Sequence, residues 1–185
     1  MDDIGDFIDA IRRALEGVAR DAQQSGSGFE WTSEVKRAVR EIVDPAAPCD
    51  GENTSGSRYS VYGHKREKAD CTGEWLFDLC WLDYVAVPDD EKSCKKYLRA
   101  MPLAMESEFG GPEEVCDDFG KLLVARAALK VMVFSDKNQA NTGSRFGAMR
   151  RQIKAFEGIG PDGEYLLCCW CNDTEDFTFD HVPAA

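Results

Sequence analysis

Four residues combine charge with an apolar setting: Asp78, Glu106, Glu108 and Lys121. Asp78 interrupts the run GEWLFDLCWLDY. Its alternation predicts a central strand with Trp75, Phe77, Leu79 and Trp81 on one face and Leu76, Asp78, Cys80 and Leu82 on the other. A lone carboxylate in such a layer is costly unless it is paired or binds a metal ion. The run PLAMESEFGG repeats the anomaly. Leu103, Met105, Ser107 and Phe109 share one predicted face, while Ala104, Glu106 and Glu108 share the other. Two glutamates two residues apart on one strand repel each other. A hard divalent cation such as magnesium, a nearby lysine or a raised pKa would relieve that repulsion. The competing reading is that these carboxylates sit solvated at a sheet edge.

Lys121 follows in DDFGKLLVARAALKVMVFS, one turn into a predicted helix that starts near Asp117 or Asp118. Its position at the border of the apolar surface would let its ammonium reach back to the strand carboxylates. The alternative is an ordinary surface lysine. LKVMVFS, 129–135, predicts a third buried strand.

The remaining elements would hold this block in place. Ile4, Phe7, Ile8, Ile11, Leu15 and Val18 recur at helical spacing over 4–20, predicting an amphipathic helix packed on the body rather than a partner-binding arm. QQSGSG, 23–28, reads as a flexible link. A second helix over 33–43 has Thr32 or Ser33 as its cap and buries Val35, Val39, Ile42 and Val43. A polar loop (46–57), a short strand (58–63) and a charged hairpin region lead into the central strand. Residues 88–101 read as a solvated connection with a helical turn. A helix over 142–157 points Phe146, Met149, Ile153 and Phe156 inward. It carries Arg145, Arg150, Arg151 and Lys154, a candidate phosphate-contacting face. EYLLCCWC, 164–171, is a further apolar strand, and Phe177 and Phe179 mark an edge strand in the acidic tail.

A chain of 185 residues is expected to form a single domain, here an N-terminal helix and linker (1–28), a core (31–171) and the tail (172–185). The class is α/β in the broad sense (α+β), a mixed central sheet flanked by helices. No apolar run reaches membrane-spanning length, so no membrane partner is expected. The N-terminal stretch lacks a signal-peptide pattern. Among eight cysteines only Cys168 and Cys171 have C-x-x-C spacing, with His64 and His181 the only histidines, so a zinc site is disfavoured and reduced thiols in a cytoplasmic setting are expected. A net charge of −12 argues against broad, sequence-independent nucleic-acid binding, though a local basic track on an acidic body remains compatible with it.

The succession helix, three strands, helix, strand, helix, strand resembles the core of the PD-(D/E)XK nuclease superfamily, the restriction-endonuclease-like fold. The resemblance spans roughly 31–171. Asp78 matches the first acid of the family motif and Glu106 the second. Glu108 stands where a lysine is usual, and Lys121 on the following helix matches the variant that carries its lysine there. The resemblance implies a nuclease: Asp78 and Glu106 holding magnesium or manganese, Lys121 stabilising charge, Glu108 as a further ligand or water acceptor, and Arg145, Arg150, Arg151 and Lys154 positioning a nucleic acid. The alternative is a non-catalytic acidic protein of the immunity or anti-restriction type that binds a basic protein partner.

Overall fold

A computed structural model describes residues 4–25, 28–43, 59–63, 76–86, 96–156 and 163–183. Four helices and six strands occur among them. In chain order they are α1 (Ile4–Ser25), α2 (Trp31–Val43), β1 (Tyr59–Gly63), β2 (Leu79–Ala86), β3 (Lys96–Glu108), α3 (Pro112–Val124), β4 (Leu129–Asp136), α4 (Gln139–Ala155), β5 (Glu164–Cys171) and β6 (Asp176–Val182). The strands form one mixed sheet in the order β1-β2-β3-β4-β5-β6. β1, β2 and β3 make an antiparallel meander, β3, β4 and β5 are parallel, and β6 returns antiparallel at the edge. The expected α+β class, a mixed sheet flanked by helices, is what forms.

Strand alternation divides the core into two layers. Leu103 and Met105 of β3, Leu129, Val131 and Val133 of β4, and Leu166, Cys168 and Trp170 of β5 face α1 and α2. The helices meet them with Ile8, Ile11, Leu15 and Val18, and with Val35 and Val39. Each set recurs every three or four residues, as a helix needs to bury one stripe. Trp31 closes this layer, its ring 4.5 Å from that of Trp170 and 5.3 Å from that of Phe109. On the opposite face, Ala104, Met132, Phe134, Leu167 and Cys169 lie under Val115, Phe119 and Leu122 of α3 and Phe146 and Met149 of α4.

Two local devices set the strand ends. Pro112 opens α3 directly after Gly111, where its missing N–H costs nothing. Gly163 enters β5 with φ +94°, and a Cβ there would lie 2.0 Å from the Ala127 carbonyl oxygen, so only glycine fits.

Several boundaries differ from the sequence reading. α1 continues to Ser25, so the first part of the expected link is helical, and Gln23 donates to the Glu175 carbonyl. α2 starts at Trp31 rather than after a Thr32 or Ser33 cap. β3 is thirteen residues long and takes in 96–101, where a helical turn was expected. Tyr97 and Leu98 pair with β2 but stay exposed, so no buried stripe announces them. α3 starts five residues before Asp117. α4 starts at Gln139 with Asn138 as its cap, and Phe156 is exposed rather than inward. β6 is the expected edge strand, with Phe177 buried. The 46–57 loop, the 64–73 hairpin region, Trp75, Cys49, Cys71, Cys94 and His64 lie outside the described residues, as do the side chains of β1 and Val43.

Candidate active site

β3 runs on past the start of β2. The ladder between them ends at Leu79↔Met105, so the Ser107 N–H has no strand partner on that side. Asp78 supplies one. It lies in the bend just before β2, not within the strand, and its Oδ2 accepts from Ser107 N at 2.8 Å. The bend also breaks the expected alternation: Phe77 packs with Cys80 and Leu82 rather than with Leu79, and Leu76 is exposed. Asp78 Oδ1 accepts from Lys36 Nζ at 2.6 Å, an ion pair to α2 across 42 residues of sequence.

Glu106 is 2% exposed, on the α3 side of β3 opposite Met132. The Asp78 backbone N–H reaches its Oε2 at 3.4 Å. Its Oε1 is buried without a hydrogen-bond donor, and Lys121 Nζ stands 3.4 Å away, an ion-pair contact without hydrogen-bond geometry. Burial first, and then the charge on Asp78, push the Glu106 carboxyl up from 4.5 to about 7, with Lys121 opposing both. Lys121 is itself anchored elsewhere. Its Nζ lies 2.7 Å from Asp118 Oδ1, one turn earlier on α3. That bond holds the ammonium pKa above its ordinary value despite partial burial.

Three of the four residues singled out in the sequence, Asp78, Glu106 and Lys121, therefore meet. Glu108 does not join them through its described contact. Its Oε1 turns back to accept from Gly110 N at 2.5 Å, closing the end of β3. Lys36 and Asp118 belong to the cluster and were not foreseen. Asp118 and Lys121 have the i,i+3 spacing of a helical ion pair, which the sequence does carry. Lys36 adjoins the apolar Val35 of α2, and its partner lies too far along the chain for any local pattern to indicate.

The donor set suits a hard cation in kind, since both acids offer oxygen. Among the described residues no group of three or more His, Cys, Asp or Glu side chains converges as metal ligands. Two carboxylates are what Asp78 and Glu106 provide, and magnesium is commonly held by one or two with the remaining positions filled by water.

The basic residues of α4 divide in two. Arg145 Nε donates to Asp136 Oδ2 at 2.9 Å, and Arg150 Nε donates to Asp180 Oδ2 at 2.6 Å. Arg151 and Lys154 are exposed. α4 packs over β4, β5 and β6, whereas α3, with Lys121, packs over β3 and β4.

The C-x-x-C spacing falls within β5, so Cys168 and Cys171 point to opposite faces and offer no shared ligand set. Cys168 packs in the α1–α2 layer, while Cys171 shares Thr142 of α4 with Cys169. Burial pushes the Cys80 and Cys169 thiols up to about 12, as for small buried hydrophobes. No helix among the described residues is long and apolar enough to cross a membrane.

No family model, no curated protein and no solved structure matches the chain.

Proposed function

We propose that this protein is a metal-dependent nuclease, hydrolysing phosphodiester bonds at the junction of β2, β3 and α3. One observation carries the reading. A buried glutamate, with one oxygen lacking a hydrogen-bond donor, meets the backbone N–H of Asp78, feels that residue's charge, and has a lysine from a third segment 3.4 Å away. Such a grouping is costly for stability alone and typical of sites with a task. The order of elements from α2 to β5 is the order on which the resemblance to the PD-(D/E)XK superfamily rests, and that supports the same reading.

Asp78 and Glu106 are the residues that would hold magnesium or manganese. The ion would supply Lewis-acid stabilisation of charge building on the phosphate. The chain's own groups do the rest. Ser107 N–H ties the Asp78 carboxylate to β3, and Asp78 N–H ties the Glu106 carboxylate to the bend before β2. Lys121 stays protonated through Asp118 and places a positive charge at the mouth of the site, where it opposes negative charge in the transition state.

The second reading is a non-catalytic acidic module for a basic protein partner. It is favoured by the pairing of Arg145 and Arg150 with Asp136 and Asp180, which leaves Arg151 and Lys154 as the more available cations of the proposed phosphate-contacting face. The experiment is manganese binding by calorimetry, together with cleavage of single- and double-stranded DNA and RNA. The nuclease reading expects Asp78→Asn and Glu106→Gln each to abolish both signals. It also expects Lys121→Ala to lower cleavage about a hundred-fold or more while binding of the ion persists. No cleavage by the parent and no Asp78-dependent manganese binding in any variant would leave the interaction module as the surviving reading, and cleavage unchanged in Asp78→Asn would move the activity away from this site.

A further inference from the structure

The two lysines of the site are not equivalent. Lys121 is half exposed, bound to Asp118 at 2.7 Å and only within 3.4 Å of Glu106. Lys36 is buried on α2, and its Nζ lies 2.6 Å from Asp78 Oδ1. Lys121 thus has an anion of its own outside the acidic pair, whereas Lys36 takes the carboxylate that a metal ion would need.

We infer that Lys36 is the built-in counter-cation of Asp78, and that a divalent ion engages Asp78 only by displacing the Lys36 ammonium from it. This rests on the metal-site reading above and assigns the residue that regulates it. The physical grounds are charge and depth. An ammonium and a divalent cation against one carboxylate oxygen repel strongly where both are shielded from water, so the two occupancies exclude each other. The carboxylate itself stays in place, because Ser107 N–H holds its other oxygen. Without metal the pair spares the fold an isolated, part-buried anion. With metal, the same carboxylate is already aimed. Lys36 therefore sets the concentration of metal at which the site fills, and α2 feels whether it is filled.

The test is manganese titration of the full chain by calorimetry. Parent, Lys36→Met, Lys121→Met and Lys36→Met/Asp78→Asn are compared, each first checked for cooperative unfolding. Lys36→Met keeps the length of the side chain and removes its charge. It is expected to bind manganese about ten-fold tighter than the parent, or to show binding where the parent shows none. The gain should exceed that of Lys121→Met and vanish in the double variant. Should Lys36→Met not fold without metal, Lys36→Gln replaces it, and manganese is expected to raise its melting temperature more than the parent's. If the parent binds manganese through Asp78 and Lys36→Met binds no tighter, or gains no more than Lys121→Met, this inference falls and the metal-site reading stands. If no variant shows Asp78-dependent binding, both fall.

Discussion

Two buried carboxylates on the α3–α4 side of the sheet invite comparison, because their depth is similar and their circumstances are opposite. Asp136, at the end of β4, is 7% exposed; Glu106, near the end of β3, is 2% exposed. Asp136 Oδ1 accepts from Lys137 N at 2.7 Å and Oδ2 from Arg145 Nε at 2.9 Å. Burial alone would raise its pKa, but Arg145, the Lys137 N–H and the Asn141 amide outweigh that and hold it below 3.8. Glu106 has no such shell, and its pKa goes the other way. Depth does not decide the protonation of a buried acid; the donors aimed at it do. Asp136 is built to stay charged and to fasten β4 to α4, whereas Glu106 is left short of positive charge.

The comparison yields opposite dependences of stability on pH. Glu106 has a folded pKa of about 7 against an ordinary value of 4.5, so the folded state holds its proton more tightly than the unfolded chain. Its stabilising contribution is full below pH 4.5 and is lost as pH rises through 7. Glu106→Gln, which cannot ionise, should match the parent in acid and exceed it above pH 7 by up to about 3 kcal/mol. Asp136 carries the reverse sign. Its contribution is present above pH 3.8 and lost as pH falls through its depressed folded value, so Asp136→Asn should lag the parent most at neutral pH. Urea unfolding of parent and variants between about pH 2 and pH 8 measures both, Asp136 at the acid end and Glu106 above pH 4.5. A Glu106→Gln advantage that does not grow with pH would mean that Glu106 is already well partnered.

A smaller effect sharpens the structural half of the comparison. Arg145 also lies over the Phe134 ring, at 5.8 Å to the centroid. Arg145→Ala should therefore cost about 2 kcal/mol, the scale of a charge-assisted bond whose buried acceptor is left behind. It should leave manganese binding at Asp78 unchanged. Loss of metal affinity in that variant would tie α4 to the site and revive its basic residues as functional.

How much of this was legible follows from the range of each interaction. The mixed sheet and its flanking helices were readable because apolar periodicity is local to each element. The meeting of Asp78, Glu106 and Lys121 was readable because adjacent elements of a meander and its crossover helix are neighbours in space. Lys36 was not, since its bond to Asp78 spans 42 residues and leaves no pattern within α2. The bend at Asp78 was hidden because the apolar run continues through it, and only the missing ladder partner of Ser107 marks where β2 begins. The outer part of β3 was missed because Tyr97 and Leu98 are exposed, so the alternation that identifies a half-buried strand is absent there.

The pair Glu106 and Glu108 brings the comparison down to two residues on one strand. Strand alternation puts them on the same face, and the sequence gives no reason to rank them. The end of the strand does. Glu108 is its last residue, and the chain turns at Gly110 so that a free N–H lies within reach of Glu108 Oε1, at 2.5 Å. A carboxylate with a local donor and access to water has no need of a cation. Glu108→Gln keeps an oxygen for that N–H, and should change stability by less than about 0.5 kcal/mol and manganese affinity by less than about two-fold. A large loss of affinity in Glu108→Gln would show that Glu108 leaves Gly110 to join the metal. The site would then hold three acids, and Glu106 would no longer be set apart by want of a partner.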